Sequence, residues 1–155
     1  MKAFIISIRV TLYHFLYRII IGETVSKFNK YKPLCCKSIF LHNFAFENNL
    51  YKALNVKKWK NKMITAKPYK FNMFDRNLNQ ILNSMLIAEK VHLLCFPLSY
   101  LPMFLIIPFG APCVFFLTSF LASLIDLACI MIQRYNVPRI IRLINLKYYQ
   151  KGCYA

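Results

Sequence analysis

The sequence is poor in acidic residues and in glycine. Only 5 of its 155 residues are Asp or Glu, against 21 Lys and Arg, and glycine occurs 3 times. The net charge of +16 at pH 7 would normally indicate a soluble nucleic-acid-binding protein. However, 58% of the residues are hydrophobic, more than the share of about half in soluble domains. The high positive charge and the high hydrophobic content are compatible because basic and apolar residues are concentrated in different parts of the chain.

Positive charge is missing from the longest hydrophobic stretch. Residues 91–133 contain no Lys or Arg, and Asp126 is their only acid. By contrast, residues 26–90 contain 13 basic and 3 acidic residues, and residues 134–155 contain 5 basic and no acidic residues. This alternation is typical of membrane proteins that keep their basic segments on the cytoplasmic side. A soluble protein would have to bury the almost uncharged run, so we do not expect nucleic acid as a partner.

The six cysteines lack the spacing of a metal site or of a disulfide framework. There is no Cys-x-x-Cys pair and no His at ligand spacing, so no metal or other cofactor is expected. Cys35 and Cys36 are adjacent, which is poor geometry for a disulfide. A reduced, cytoplasm-facing setting therefore suits the chain better than a secreted one.

The first apolar segment, residues 3–22, predicts a membrane helix. Arg9 and Arg18 interrupt it, and an Arg at the centre of a span costs about 2.5–3.5 kcal/mol on insertion scales. The helix is therefore expected either to span the bilayer or to lie at its surface. A signal peptide fits less well, because these charges break the apolar core and no small-residue cleavage site follows.

Two further apolar segments, residues 91–108 and 113–133, predict a transmembrane helical hairpin. The Pro-Phe-Gly-Ala-Pro sequence between them indicates a turn. Pro97 and Pro102 suggest that the first arm is kinked or re-entrant. Both ends of the hairpin would lie on the basic side of the membrane.

The basic segments, residues 26–90 and 134–155, are expected to be cytoplasmic. The first of them predicts short amphipathic helices, for example within residues 47–58, and a longer helix over residues 77–92 with regular apolar spacing. Lysines surround Trp59, the only tryptophan, as in an anchor at the lipid headgroups. The predicted fold is an all-α integral membrane protein with an N-terminal membrane helix, a basic cytoplasmic segment with short helices and a C-terminal transmembrane hairpin.

A first polar cluster lies where the chain enters the hairpin. Glu89 and His92 are three residues apart, so they share one face of a helix. A carboxylate beside an imidazole orients the ring and raises its basicity, as in a general base. An ordinary hydrogen-bonded histidine at the membrane interface explains the same pair.

A second polar cluster follows the hairpin directly. Its members are Gln133, Arg134, Tyr135, Asn136 and Arg139. Such a group is suited to bind a phosphate, a carboxylate or a sugar hydroxyl at the level of the headgroups. The alternative is a stop-transfer patch that only fixes topology. Pro138 predicts that the helix does not simply continue through this cluster.

In their order along the chain, the clusters resemble the motifs of the glycosyl-4,4′-diaponeurosporenoate acyltransferases, small bacterial membrane enzymes of carotenoid glycolipid synthesis. The matching residues are Phe44, Phe46 and Glu47; Trp59 and Lys60; Ala88, Glu89 and His92; and Gln133, Arg134, Tyr135, Asn136 and Arg139. The resemblance spans about residues 40–142. It departs at Asn49, at Leu93, at Val137, which replaces an Arg, and at Asp126, which replaces an Asn. The chain is therefore identified as a divergent member.

The resemblance implies transfer of a fatty acyl group to a sugar hydroxyl of a membrane glycolipid, with an acceptor like a carotenoid glycoside. His92, oriented by Glu89, would take the hydroxyl proton. The anionic part of the donor, or the oxyanion, would be bound by Arg134, Asn136 and Arg139. Trp59 and Lys60 would dock on anionic headgroups or close over the site. Since no Ser or Cys adjoins a base in a recognisable nucleophile motif, we expect direct transfer.

The expected partners are a fatty acyl donor, a glycolipid acceptor and the lipids of the bacterial inner membrane. A second hypothesis is a non-catalytic membrane adaptor that binds anionic lipid or a partner enzyme. The adaptor explains the basic segments equally well, but it gives Glu89 and His92 no common role. The enzyme hypothesis requires His92, Glu89 and Arg134 to converge around a site open to lipid.

Overall fold

The computed structural model describes residues 2–31, 45–63, 68–72 and 76–152. No strand occurs among these residues, which agrees with the predicted all-α class. The helices are α1 (Lys2–Tyr31), α2 (Glu47–Ala53), α3 (Val56–Trp59), α4 (Leu78–Leu98), α5 (Ile106–Phe109) and α6 (Pro112–Gly152). Turns of 3₁₀ helix occur at Lys60–Lys62, Pro68–Phe71 and Leu101–Leu105. Phe44, Cys35 and Cys36 lie outside the described residues.

Three helical stretches are long and apolar enough to cross a membrane: Lys2–Asn29, Leu78–Phe109 and Pro112–Lys147. Large apolar side chains on them are exposed, among them Ile107 at 90% and Phe15 at 69%. An apolar surface of this kind suits contact with lipid. The three predicted membrane helices are thus confirmed in length and composition, and the cytoplasmic placement of the basic segments stays a prediction.

The described residues form two compact units, of which the first comprises those of residues 1–31 and 90–130. Within it, α1 packs against the hairpin. Val10 of α1 shares a cavity with Phe115 of α6. Two turns later, Arg18 donates a 2.9 Å hydrogen bond to the carbonyl of Ala122. The order of these contacts shows that α1 runs parallel to α6, so the N-terminal half of α1 lies at the level of the hairpin turn.

The hairpin turn lies between α5 and α6, as the sequence predicts. Gly110 has φ 68° and ψ −148°, a conformation accessible essentially only to glycine. Ala111 follows with φ 55°, in the left-handed region. The two positive φ angles reverse the chain in a few residues, because each of them interrupts the helical path.

The second unit comprises the described residues among 32–89 and 131–155. Its core consists of Ile81, Met85 and Leu86 of α4 with Val137 and Ile140 of α6. The three α4 residues belong to the apolar spacing that predicts this helix. The short helices α2 and α3 occupy residues 47–59, where amphipathic helices were expected.

Helix α6 continues through the cluster where a break was expected. Pro138 lies inside α6, which ends only at Gly152. A proline in a helix interior costs about 3 kcal/mol because it lacks an N–H and clashes with a preceding carbonyl. However, Val137 and Ile140 are 1% and 7% exposed in the core of the second unit. Each buried side chain of this size contributes about 1.5–3 kcal/mol, so packing outweighs the local preference of the proline.

Candidate functional site

Asp126, the single acid of the hairpin, is fully buried in the first unit. Arg18 of α1 binds both carboxylate oxygens, with Nε 3.2 Å from Oδ1 and Nη2 2.5 Å from Oδ2. The hydroxyl of Ser99 donates to Oδ2 at 3.2 Å, and Tyr17 hydrogen-bonds to the same hydroxyl at 2.8 Å. The buried carboxylate is therefore both paired with a cation and hydrogen-bonded, as burial of a charge requires.

Asp126 also holds His92, whose Nδ1 lies 2.9 Å from Oδ1. The sequence predicted that Glu89, one turn earlier on α4, orients His92. In the structure the carboxylate that binds the ring is instead that of Asp126 on α6. Helical spacing places Glu89 on the same face, but its carboxylate is bound by Arg134. The side chain of His92 is 24% exposed, so the ring remains accessible. Cys129 follows Asp126 by three residues, so helical spacing places it on the same face of α6.

In the second unit, Arg134 joins two buried acids. Its Nε donates to Oε1 of Glu47 at 2.7 Å, and its Nη1 donates to Oε1 of Glu89 at 2.9 Å. Glu47 and Glu89 are only 5% and 0% exposed. The hydroxyl of Tyr51 donates to the other oxygen of Glu47 at 2.8 Å, and burial and this bond raise the pKa of Tyr51. Glu89 before the hairpin and Arg134 after it therefore meet, as a hairpin predicts.

Two cations lie against the ring of Tyr135 in the same unit. The guanidinium of Arg139 lies 3.9 Å from the ring centroid and donates to the Tyr135 hydroxyl at 2.6 Å. The Nζ of Lys60 lies 5.1 Å from the same centroid and donates to Oδ1 of Asn136 at 2.8 Å. Burial, followed by the charge of Arg139, lowers the pKa of Lys60. Within the described ranges, neither cation has a carboxylate partner.

Two other predicted site residues contribute less to these groups. The indole N–H of Trp59 donates to the carbonyl of Leu54 at 2.9 Å, which ties α3 to the end of α2. Gln133 is half-buried, and its side chain forms no hydrogen bond with the part of the chain that the structure describes. The structure therefore assigns Trp59 a local contact and brings Gln133 to neither polar group.

Arg18, Tyr17 and Ser99 were not expected at a site. The sequence contains one signal for the first of them. Arg18 is a costly cation in one apolar segment, and Asp126 is a lone acid in another. Charges of opposite sign in two membrane helices are expected to pair. No comparable signal marks Tyr17 or Ser99, because hydroxyls are common in membrane helices.

A sequence model of one family, described as glycosyl-4,4′-diaponeurosporenoate acyltransferase, matches residues 36–146. The matched range contains both polar groups except for the residues of α1. No curated protein sequence and no solved structure matches the chain.

Proposed function

Because the chain belongs to the glycosyl-4,4′-diaponeurosporenoate acyltransferase family, we propose that it transfers a fatty acyl group from a donor to a sugar hydroxyl of a glycosylated membrane lipid. The three helices of membrane-spanning length suit substrates that partition into the bilayer. We place the basic segments at the cytoplasmic face of a bacterial inner membrane, following the distribution of Lys and Arg.

The contact between His92 and Asp126 supports this function most directly. When Nδ1 of His92 donates its proton to Oδ1 of Asp126, the lone pair of the ring is on Nε2. As the sugar oxygen attacks the acyl carbonyl carbon, His92 accepts the hydroxyl proton and then returns it to the leaving group of the donor. Asp126 keeps the ring in this tautomer and stabilises the imidazolium that forms, like the carboxylate of a serine-protease triad.

Lys60 and Arg139 are the residues that we assign to the anionic part of the acyl donor. Both lie against the ring of Tyr135 and lack carboxylate partners among the residues described. Burial and, after it, the charge of Arg139 lower the pKa of Lys60, and an anion bound beside both cations would relieve the repulsion between them. Asn136, which already accepts a hydrogen bond from Lys60, keeps its amide N–H groups as further donors.

Arg134 and Glu89 have a positioning role in this scheme. The charge of Arg134 is balanced by Glu47 and Glu89, so it is less suited to attract the donor than Lys60 and Arg139 are. Its two ion pairs connect α2 and α4 to α6 just before Tyr135 and Asn136. Loss of Arg134 would leave two acids unpaired in a buried place, which costs about 3–5 kcal/mol.

The test is acyl transfer by the purified full-length protein in lipid nanodiscs, with labelled acyl-coenzyme A and glycosyl-4,4′-diaponeurosporenoate. His92→Gln should lower kcat by about 10²–10⁴-fold, the usual contribution of a general base. His14→Gln is the matched control, since His14 is another histidine of the first unit whose ring nitrogens form no hydrogen bond with the described residues.

Thermal unfolding of each variant checks that it is folded. Near-normal transfer by folded His92→Gln would refute the proposed base. If the unaltered protein bound the glycolipid but produced no acylated product, the non-catalytic adaptor would be the better hypothesis.

A further inference from the structure

The first unit contains a cavity of about 390 Å³ near the hairpin turn. It lies between the N-terminal half of α1, the segment from Leu101 to Phe109, and the beginning of α6. Seven of its nine lining residues are apolar, including Ile6, Leu105 and Phe115. A cavity of this size and composition is typical of a site for an apolar ligand whose orientation is fixed by a few polar groups.

The two polar residues of the cavity wall are Arg9 and Tyr13. Among the residues described, the guanidinium of Arg9 has neither an ion-pair nor a hydrogen-bond partner. Residues 1–31 and 90–130 contain only two acids, Glu23 and Asp126. Asp126 is bound by Arg18. Glu23 follows Arg9 by 14 residues, about 21 Å along the helix. Neither acid of this unit is therefore placed to neutralise Arg9, and its counter-ion must have another source.

The position of Arg9 favours a lipid headgroup as the source of that counter-ion. Arg9 is seven residues from Lys2, about 10 Å along α1. The parallel packing of α1 and α6 puts this end of α1 at the level of the hairpin turn, where the spans end. An Arg at such a depth can extend its charge to the headgroups while its aliphatic part stays among apolar groups.

We infer that the cavity is a binding site for an anionic phospholipid, with one acyl chain between the apolar walls and the phosphate on Arg9. A guanidinium binds phosphate through two parallel hydrogen bonds, and the hydroxyl of Tyr13 supplies a third donor. This inference does not depend on the proposed acyl transfer, because it concerns residues that have no part in the reaction. The bound lipid would hold α1 against the hairpin turn.

The inference can be tested by native mass spectrometry of the full-length protein released from nanodiscs of equal parts phosphatidylglycerol and phosphatidylcholine. The unaltered protein should retain phosphatidylglycerol. Arg9→Gln should lower that retention about tenfold, as expected for loss of a charge-assisted contact. Leu105→Trp should lower retention of both lipids by filling the cavity. Arg9→Lys should keep part of the preference.

Lys2→Gln is the matched control, because Lys2 is an exposed cation of α1 outside the cavity, and it should leave retention unchanged. The measurement remains decisive if Leu105→Trp fails to fold, since Arg9→Gln and Arg9→Lys shorten an exposed side chain and add no bulk to the cavity. Equal retention of phosphatidylglycerol by Arg9→Gln and the unaltered protein would overturn the inference. Displacement of the phospholipid by an equal amount of palmitate would overturn the choice of occupant.

Discussion

Replacing both Arg18 and Asp126 by neutral amides should lower the free energy of unfolding by no more than replacing one of them. Arg18→Gln leaves the Asp126 carboxylate, which is 0% exposed, with only neutral partners and His92. Asp126→Asn leaves the guanidinium, whose side chain is 21% exposed, without a counter-ion. Each single substitution therefore leaves one charge unpaired between the helices, and the double variant leaves none.

Removing one partner of a buried ion pair costs about 3–5 kcal/mol. Arg18 keeps its hydrogen bonds to the carbonyls of His14 and Ala122, at 2.7 and 2.9 Å, so the lower limit of about 3 kcal/mol suits Asp126→Asn. With about 3–5 kcal/mol for Arg18→Gln, independent effects would add to at least about 6 kcal/mol in the double variant. Two amides in place of the two charges can hydrogen-bond to each other, so we expect a loss of about 3 kcal/mol at most.

Thermal unfolding in detergent measures the difference. With about 2–4 °C per kcal/mol for a chain of this length, each single variant should lower Tm by about 6–20 °C. The double variant should not unfold below either of them. Arg9→Gln combined with Asp126→Asn is the matched control, because Arg9 has no contact with Asp126, and its effect should be additive. A double variant that loses the full sum of the two single effects would refute the charge-pair argument.

The other predictions concern the donor site and the course of the reaction. Lys60→Ala and Arg139→Ala should each raise KM for the acyl donor about tenfold with little change in kcat. Arg142→Ala, which removes an exposed cation further along α6, should not, and equal values for all three variants would contradict the anion site. Because burial and Arg139 lower the pKa of Lys60, its charge is lost at a lower pH than that of an ordinary lysine. The ratio kcat/KM should therefore fall early on the alkaline side, and Lys60→Arg should remove that fall. Direct transfer predicts that Cys129→Ala keeps most of the activity, whereas an acyl group found on Cys129 by intact-mass measurement would show an acyl-enzyme.

The helices were largely predictable because apolar spacing and composition act locally. Ile81, Met85 and Leu86 recur at helical intervals, and the same residues form the core of the second unit. The break expected at Pro138 was wrong for a physical reason. A proline lowers the stability of a helix locally, but the burial of Val137 and Ile140 depends on α4, which is about 50 residues away in the sequence. Spacing within one helix carries no information on that packing.

The candidate site was less predictable, because its contacts cross between helices. Glu89, His92 and Arg134 were recognisable as residue types, and the meeting of Glu89 with Arg134 follows from the hairpin. The partner of His92 was wrong because a shared helix face makes Glu89 only one of its possible neighbours. Which acid binds the ring depends on the register of α4 against α6, and that register brings Asp126 to 2.9 Å from His92.

The Arg18–Asp126 pair makes α1 part of the proposed site. The family match begins at residue 36, so α1 lies outside it. The resemblance implies an Asn in the family motif where Asp126 stands, and a neutral amide at this position would leave Arg18 without a counter-ion in the span. Conversely, a hairpin without α1 would contain a buried carboxylate without its cation. Either charge alone is costly in a bilayer. We therefore expect Asp126, which binds His92, and Arg18 of α1 to depend on each other.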